Sequence, residues 1–456
     1  MADGAGGGDV TLARTLSWPH LVALGVGAIV GTGILTLIGV GAAKAGPAVL
    51  VSFAIAGFVC ACAALAYAEM ATRTPAAGGA YAYARDWMGR GPGWFVGWSL
   101  VLEYSLVVSA VAVGWSGYAA PLFIEWLGFP PELTVGPHLG GIMNLPAVVV
   151  IWVVAGVLML GTGKGAALNA ALVFVKLAAL AVFAAVTIGH FDLANLHPFN
   201  PYGFSKSMGP DGVERGIMAA AAIIFSAFYG FDAVATAAEE TRNPKRDLTL
   251  GIIGSMIACA LIYTLIAALA LGASPFTRFA DSPEPLALIL RELGEPGAAT
   301  FLALSAVIAL PTVIFAFFFG QSRIFLALAR DGFLPAPLAQ VSADGRATRV
   351  IGFTAMVVSV IAALLPLGEI VALANAGTLL AFGAVASCLL IARRRGHQSE
   401  HAIRIPYGRV IALIALAGCF YLFISLPRTT HGLFLAWNVL GVLIYWVVRR
   451  RAAAAR

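Results

Sequence analysis

Gly27-Ala28-Ile29-Val30-Gly31-Thr32-Gly33-Ile34 interrupts the first long apolar run of the chain, and Phe228-Tyr229-Gly230-Phe231-Asp232 interrupts the sixth. Each interruption puts glycine near the middle of a stretch otherwise suited to an unbroken helix. A proline follows the last glycine of each at the same interval, 14 residues from Gly33 to Pro47 and 14 from Gly230 to Pro244. Matched breaks of this kind point to a binding site at the interface of two repeats. Irregular backbone at membrane depth is tolerated only where it lines a cavity or is buried in protein. Gly27 and Gly31 also form a small-xxx-small pair, which by itself would be explained by helix packing. The matched second break favours the binding-site reading.

The surrounding composition fixes the setting. The chain has 456 residues, 60% of them hydrophobic and only 11% charged, with a mean hydropathy of +0.91. A soluble domain carries about 25% charged residues, so this chain has too few to cover a soluble surface. A helix crosses the bilayer with about 20 apolar residues. Apolar runs bounded by Pro, Gly and charge give twelve candidate spans, near 18–41, 47–70, 93–120, 145–161, 168–189, 217–239, 249–272, 297–329, 349–366, 369–391, 408–426 and 431–449. Met1 to Ser17 is Gly-rich and has no basic region ahead of a cleavable apolar stretch, so the first span is expected to direct insertion itself.

With the eighth span running past the membrane at its inner end, twelve spans with the amino terminus inside place 21 Lys and Arg residues on the inner side and 6 outside, and leave Lys176 at membrane depth. This is a strong positive-inside asymmetry and predicts both termini on the cytoplasmic face. It also explains the net charge of +6 without a nucleic-acid partner. Under this topology the first span runs outward and the sixth runs inward, so the breaks belong to inverted halves. The amino ends of the half-helices after each break offer free N–H groups and a positive dipole suited to a carboxylate. Their opposing carbonyls suit an ammonium. One compact site is therefore expected to hold both ends of an amino acid.

Three ionisable residues fall at mid-depth: Lys176 about nine residues into the fifth span, Glu103 about ten into the third, and Asp232 beside the second break. Such residues are costly in the membrane and are functional candidates by default. Lys176 is a candidate proton carrier, with a structural Lys176–Glu103 ion pair as the alternative. Asp232 either takes part in function or caps the half-helix that follows it. Glu69, Glu239 and Glu240 fall at inner helix ends and are expected to be interfacial.

Other signals do not support an enzyme. His397-Gln398-Ser399-Glu400-His401 matches an H-x-x-E-H string, but it lies in a basic loop with no evident third zinc ligand. Gly161-Thr162-Gly163-Lys164-Gly165 lacks the first glycine of a phosphate loop, and Gly165 stands where Ser or Thr is needed. The five cysteines sit in apolar runs without metal-ligand spacing and read as small core residues. No catalytic or metal-binding residue is assigned, and no cofactor is expected beyond a proton as coupling ion.

The two interrupted stretches, with Glu239-Glu240-Thr241-Arg242-Asn243-Pro244, resemble the amino acid–polyamine–organocation superfamily. Gly97-Trp98, Leu102-Glu103-Tyr104, Gly114-Trp115-Ser116-Gly117-Tyr118, Gly320-Gln321-Ser322-Arg323 and Arg330-Asp331-Gly332 look like its bacterial cationic amino acid transporter branch. The resemblance covers nearly the whole chain. It implies an all-α membrane protein of twelve transmembrane helices: a five-plus-five inverted repeat, the leucine-transporter fold, with two further helices. In that layout residues 1–17 are an inner tail, 18–200 the first repeat with an outer loop, 201–395 the second repeat, and 396–456 the last two helices and the carboxy terminus.

Carried over by position, the resemblance implies that the amides of Thr32 and Gly33, beside Gly31 and with the Thr32 hydroxyl, hold the substrate carboxylate. Carbonyls of Ile29, Ser226 and Tyr229 would take the ammonium. Phe231 would stand beside the site as an aromatic gate, next to Ala227, and Thr312 and Phe315 would shape the side-chain pocket. Lys176 matches the lysine that replaces a sodium ion in proton-coupled relatives, and Glu103 matches the acid of the cationic branch. One departure is Gly163-Lys164-Gly165-Ala166-Ala167 ahead of Leu168 and Asn169, where the family often has Glu-Ser before the Asn. The expected function is proton-coupled symport of small neutral or cationic L-amino acids by alternating access. A proton-independent exchanger and, less favoured, a membrane amino acid sensor are the alternatives. The lipid bilayer is the setting, and whether a small membrane-protein partner accompanies the chain stays open at this point.

Overall fold

Without water to bond to, an apolar chain satisfies its backbone polar groups internally, and the helix does so within one segment. The computed structural model describes residues 16–74, 78–160, 165–236, 241–333, 348–395 and 403–454. Among these, α-helix dominates, and the strands are one two-residue antiparallel pair, β1 (Ser207–Met208) and β2 (Glu214–Arg215).

The first apolar run is divided into α1 (Trp18–Ile29), α2 (Thr32–Leu35) and α3 (Leu37–Ala45). After Pro47, α4 (Val49–Arg73) runs back, followed by the short α5 (Ala80–Met88) and the 38-residue α6 (Arg90–Leu127). Next come α7 (Leu145–Leu160) and α8 (Gly165–Thr187). The sixth apolar run is α9 (Ile217–Ile224), a 3-10 turn over Phe225–Phe228, and α10 (Phe231–Thr236). Then follow α11 (Pro244–Ala273), the short α12 (Phe276–Phe279) and α13 (Pro285–Glu292), α14 (Pro296–Ala309) and α15 (Pro311–Arg330). The chain closes with α16 (Thr348–Leu364), α17 (Leu367–Arg394), α18 (Gly408–Ile424) and α19 (Arg428–Ala454). Among the described residues, eight helical stretches are long and apolar enough to cross a membrane, and four more are apolar but shorter, Leu145–Met159, Ile217–Phe228, Thr348–Leu364 and Gly408–Ile424. The eighth run, expected as one helix, is divided at Pro311, whose ring cannot continue the backbone ladder.

Burial orders the bundle. The most apolar window of α6 is 89% buried, whereas that of α19 is 11% buried. α6 packs on α15 and α17, and α1 packs on α11. The exposed face of α19 carries Leu433, Leu435, Leu443 and Val447, as a lipid-facing helix should. Its other face is fixed to α6 by aromatic stacking, Trp98 on Trp437 at 4.4 Å, with each indole N–H donating to the other residue's carbonyl.

Polar contacts tie helix ends together. Glu69, expected at an interface, is instead fully buried: it pairs with Arg73 (2.8 Å) and Arg393 and accepts the Ile405 amide (3.0 Å). It thereby joins the ends of α4 and α17 to the segment entering α18. Asp331, at the end of α15, accepts from Tyr81 and from Arg85 (2.9 Å) on α5. All five cysteines are buried and free. The His397–His401 string, Gly161–Lys164 and Glu239–Glu240 lie outside the described residues.

Candidate functional site

The two interruptions cross each other backbone to backbone. A Cβ built on Gly33 would lie 2.5 Å from the Ala227 Cα, and one on Gly230 would lie 2.8 Å from the Ala28 carbonyl carbon. Gly230 also has φ +112°, a region L side chains rarely adopt. Glycine is required at both positions, and the two broken helices are in contact at their breaks.

Breaking a helix orphans backbone groups, which need partners when buried. In α1 the last-turn carbonyls find two side chains. Lys176 on α8 donates to the Gly27 carbonyl (3.0 Å) and to the Thr312 hydroxyl (3.0 Å), and Tyr263 on α11 donates to the Ile29 carbonyl (2.6 Å). The end of α2 is met by Tyr118, which donates to Leu35 (2.5 Å). At the second break Asn375 on α17 donates to the carbonyls of Ala222 (2.7 Å) and Ile223 (3.1 Å). Asp232 accepts the Gly230 amide (3.1 Å) and the Tyr104 hydroxyl (2.9 Å), so it spans the break that precedes its own half-helix.

Beside the crossing lies a cavity with about 410 Å³ of empty space, part of it continuous with solvent. The breaks contribute Ala28, Ile29, Gly31, Thr32, Gly33, Ser226 and Tyr229. The remaining wall is apolar: Leu37 from α3, Val107, Ala110 and Val111 from α6, Val313 and Phe317 from α15, and Val371 and Ala374 from α17. No acidic or basic side chain is among these lining residues. Thr32 and Gly33 open α2, where the first amides of a helix have no acceptor within it.

The structure thus brings Ile29, Gly31, Thr32, Gly33, Ser226 and Tyr229 to one cavity and places five other candidates elsewhere. Ala227 is spent on the contact with Gly33. Phe231 is fully buried behind the wall, edge-on to Tyr67 (5.6 Å) and tilted against Phe382 (5.0 Å), so it does not stand beside the cavity as a gate. Thr312 faces Lys176, and Val313 and Phe317 form the wall expected of Thr312 and Phe315. Pro311 starts a new helix there and sets which residues point inward. Glu103 is buried away from the lining and among the described residues forms no ion pair with Lys176; neither carboxylate oxygen has a hydrogen-bond partner there. Tyr263 and Asn375 were missed, although an isolated polar residue in an apolar run was a usable signal for both.

The residues 16–448 match the family of amino acid permeases. The chain belongs to the amino acid permease family. It is an amino acid transporter of the amino acid–polyamine–organocation superfamily and not an enzyme. The branched-chain amino acid permease BcaP of Bacillus subtilis (strain 168) is 36% identical, over 97% of this chain and 95% of its own. The methylthioribose transporter of the same organism is 33% identical, over 97% and 94%. The vacuolar cationic amino acid transporter 4 of Arabidopsis thaliana is 36% identical, over 85% of this chain and 64% of its own. As in these permeases by name, the chemistry here is passage of a solute rather than a covalent step.

Proposed function

We propose that this permease is a proton-coupled symporter of neutral aliphatic L-amino acids that works by alternating access. The observation that carries the reading is the meeting of both helix breaks at one cavity whose remaining wall is apolar and uncharged. The amides of Thr32 and Gly33 and the Thr32 hydroxyl take the carboxylate, and carbonyls of Ile29, Ser226 and Tyr229 take the ammonium. The aliphatic side chain lies against Val107, Val111, Val313 and Phe317. An arginine or lysine side chain would meet no counter-charge in this wall, and leaving a charge unpaired in an apolar site is costly. The branched-chain permease among the relatives agrees with a neutral substrate.

Lys176 supplies the coupling. Its ammonium joins α8 to α1 and α15 through the Gly27 carbonyl and the Thr312 hydroxyl, and among the described residues no carboxylate pairs with it. Hydrogen bonds from an ionised donor are roughly twice as strong as neutral ones, so loss of the proton loosens the half-helix that carries the site. The five-plus-five layout with two additional helices, the cytoplasmic membrane and inner termini complete the reading. The twelve apolar helical stretches and the 21-to-6 charge asymmetry support them. The test is uptake of labelled alanine and arginine into proteoliposomes with and without an inward proton gradient. Gradient-driven accumulation of alanine alone is expected. Uptake indifferent to the gradient but dependent on internal amino acid would make the protein an exchanger and overturn the coupling.

A further inference from the structure

At the first break two carbonyls that lose their helical partners are met by side chains. In an uninterrupted helix the Gly27 carbonyl would accept from the Gly31 amide, and the Ile29 carbonyl from the Gly33 amide. Here the Gly27 carbonyl takes Lys176 (3.0 Å) and the Ile29 carbonyl takes the Tyr263 hydroxyl (2.6 Å). Ile29 lines the cavity, whereas Tyr263 does not.

The ring of Tyr263 reaches the second break. It is fully buried and packs tilted against Phe228 at 5.4 Å and edge-on to Phe53 at 6.3 Å. Phe228 precedes Tyr229, whose backbone opens the second break. Tyr263 thus touches the first break with its hydroxyl and the second with its ring, from a helix that is itself unbroken. A tyrosine hydroxyl cannot reach the backbone of its own helix turn, so a buried one needs a distant partner. Here that partner is the carbonyl of Ile29, a residue that lines the cavity.

We propose that Tyr263 is a positioning residue for substrate binding: its hydroxyl sets the direction of the Ile29 carbonyl, and its ring sets the spacing of the two breaks. The proposal rests on the reading of an amino acid held across those breaks. A carbonyl oxygen has two lone pairs. Tyr263 occupies one at Ile29 and leaves the other for the substrate's ammonium. Removing the hydroxyl frees the carbonyl to turn, which weakens binding without removing any group from the cavity or touching Lys176.

The test is the kinetics of labelled alanine uptake, with equilibrium binding, for the wild type, Tyr263→Phe and Phe228→Leu in proteoliposomes. Tyr263→Phe keeps the ring contacts and removes only the hydroxyl. It is expected to raise KM and Kd about tenfold, the worth of one buried hydrogen bond, with Vmax and proton-driven accumulation retained. Phe228→Leu keeps the hydroxyl and is expected to raise KM by a smaller factor. An unchanged KM in Tyr263→Phe overturns the proposal, whatever happens to Vmax. If Tyr263→Phe does not reach the membrane folded, Phe228→Leu decides, and its unchanged KM is the overturning result. A wild type that fails to bind alanine sinks the symporter reading itself, whereas a wild type that binds normally beside unaffected variants sinks only the role of Tyr263.

Discussion

The two helix breaks cross at one point but are held in different ways. The break after Ile29 is stitched from outside by Lys176 on α8 and Tyr263 on α11. The break before Phe231 is stitched by Asn375 on α17 and by Asp232, a residue of its own half-helix. Asn375 never changes charge, and Asp232 bridges the backbone of its own break while accepting from Tyr104 on α6. Lys176 can gain or lose a proton, and it holds a helix other than its own. Under the proposed coupling the first break is the adjustable one and the second the fixed one.

This contrast is broken most severely at Lys176. Lys176→Ala is expected to abolish proton-driven accumulation of alanine while binding and exchange persist; intact accumulation down a pH gradient would remove Lys176 from the coupling. Gly230→Ala comes next, because a Cβ there meets Ala28 at 2.8 Å with φ held at +112°. The left-handed backbone alone costs about 1–2 kcal/mol for an L side chain. Thermal unfolding of the detergent-solubilised variant should fall together with uptake, and a wild-type melting temperature would show that the crossing can spread. Asn375→Ala removes the side-chain donor to the Ala222 carbonyl and one of two to the Ile223 carbonyl, which keeps the Ser226 hydroxyl (2.8 Å), and its expected cost is roughly 1–3 kcal/mol of stability. Its proton dependence should stay as in the wild type. A selective loss of coupling in Asn375→Ala would erase the distinction between the breaks. Smallest is Tyr104→Phe, which removes one of the hydrogen bonds to Asp232 (2.9 Å) and should change stability by about 1 kcal/mol, with alanine KM unchanged.

The legible parts of the molecule were those in which local chemistry determines structure. Gly31, Gly33 and Gly230 marked the breaks, because a missing side chain in an apolar run has a local meaning. Lys176 stood out, because an ionisable group at mid-span is rare. The side-chain wall was not legible in the same way. Neighbouring residues on a helix point about 100° apart, so choosing Val313 and Phe317 over Thr312 and Phe315 needs the helix phase, which Pro311 resets. Phe231 sits at the right position in the chain, but Tyr67 and Phe382 hold it behind the cavity. Both rings come from helices distant in sequence. Tyr263 and Asn375 are long-range caps of the same kind: their partners lie 234 and about 150 residues away. Glu69 was misjudged because a helix-end glutamate reads as exposed until Arg393 is brought to it, 324 residues later.

The most direct test of a proton-responsive first break is a paired uptake experiment in proteoliposomes, with labelled alanine, wild type against Lys176→Ala, under an imposed inward proton gradient. The account predicts accumulation above equilibrium in the wild type. In the variant it predicts only equilibration or exchange, with alanine binding still measurable. Equal gradient-driven accumulation by both proteins would contradict it.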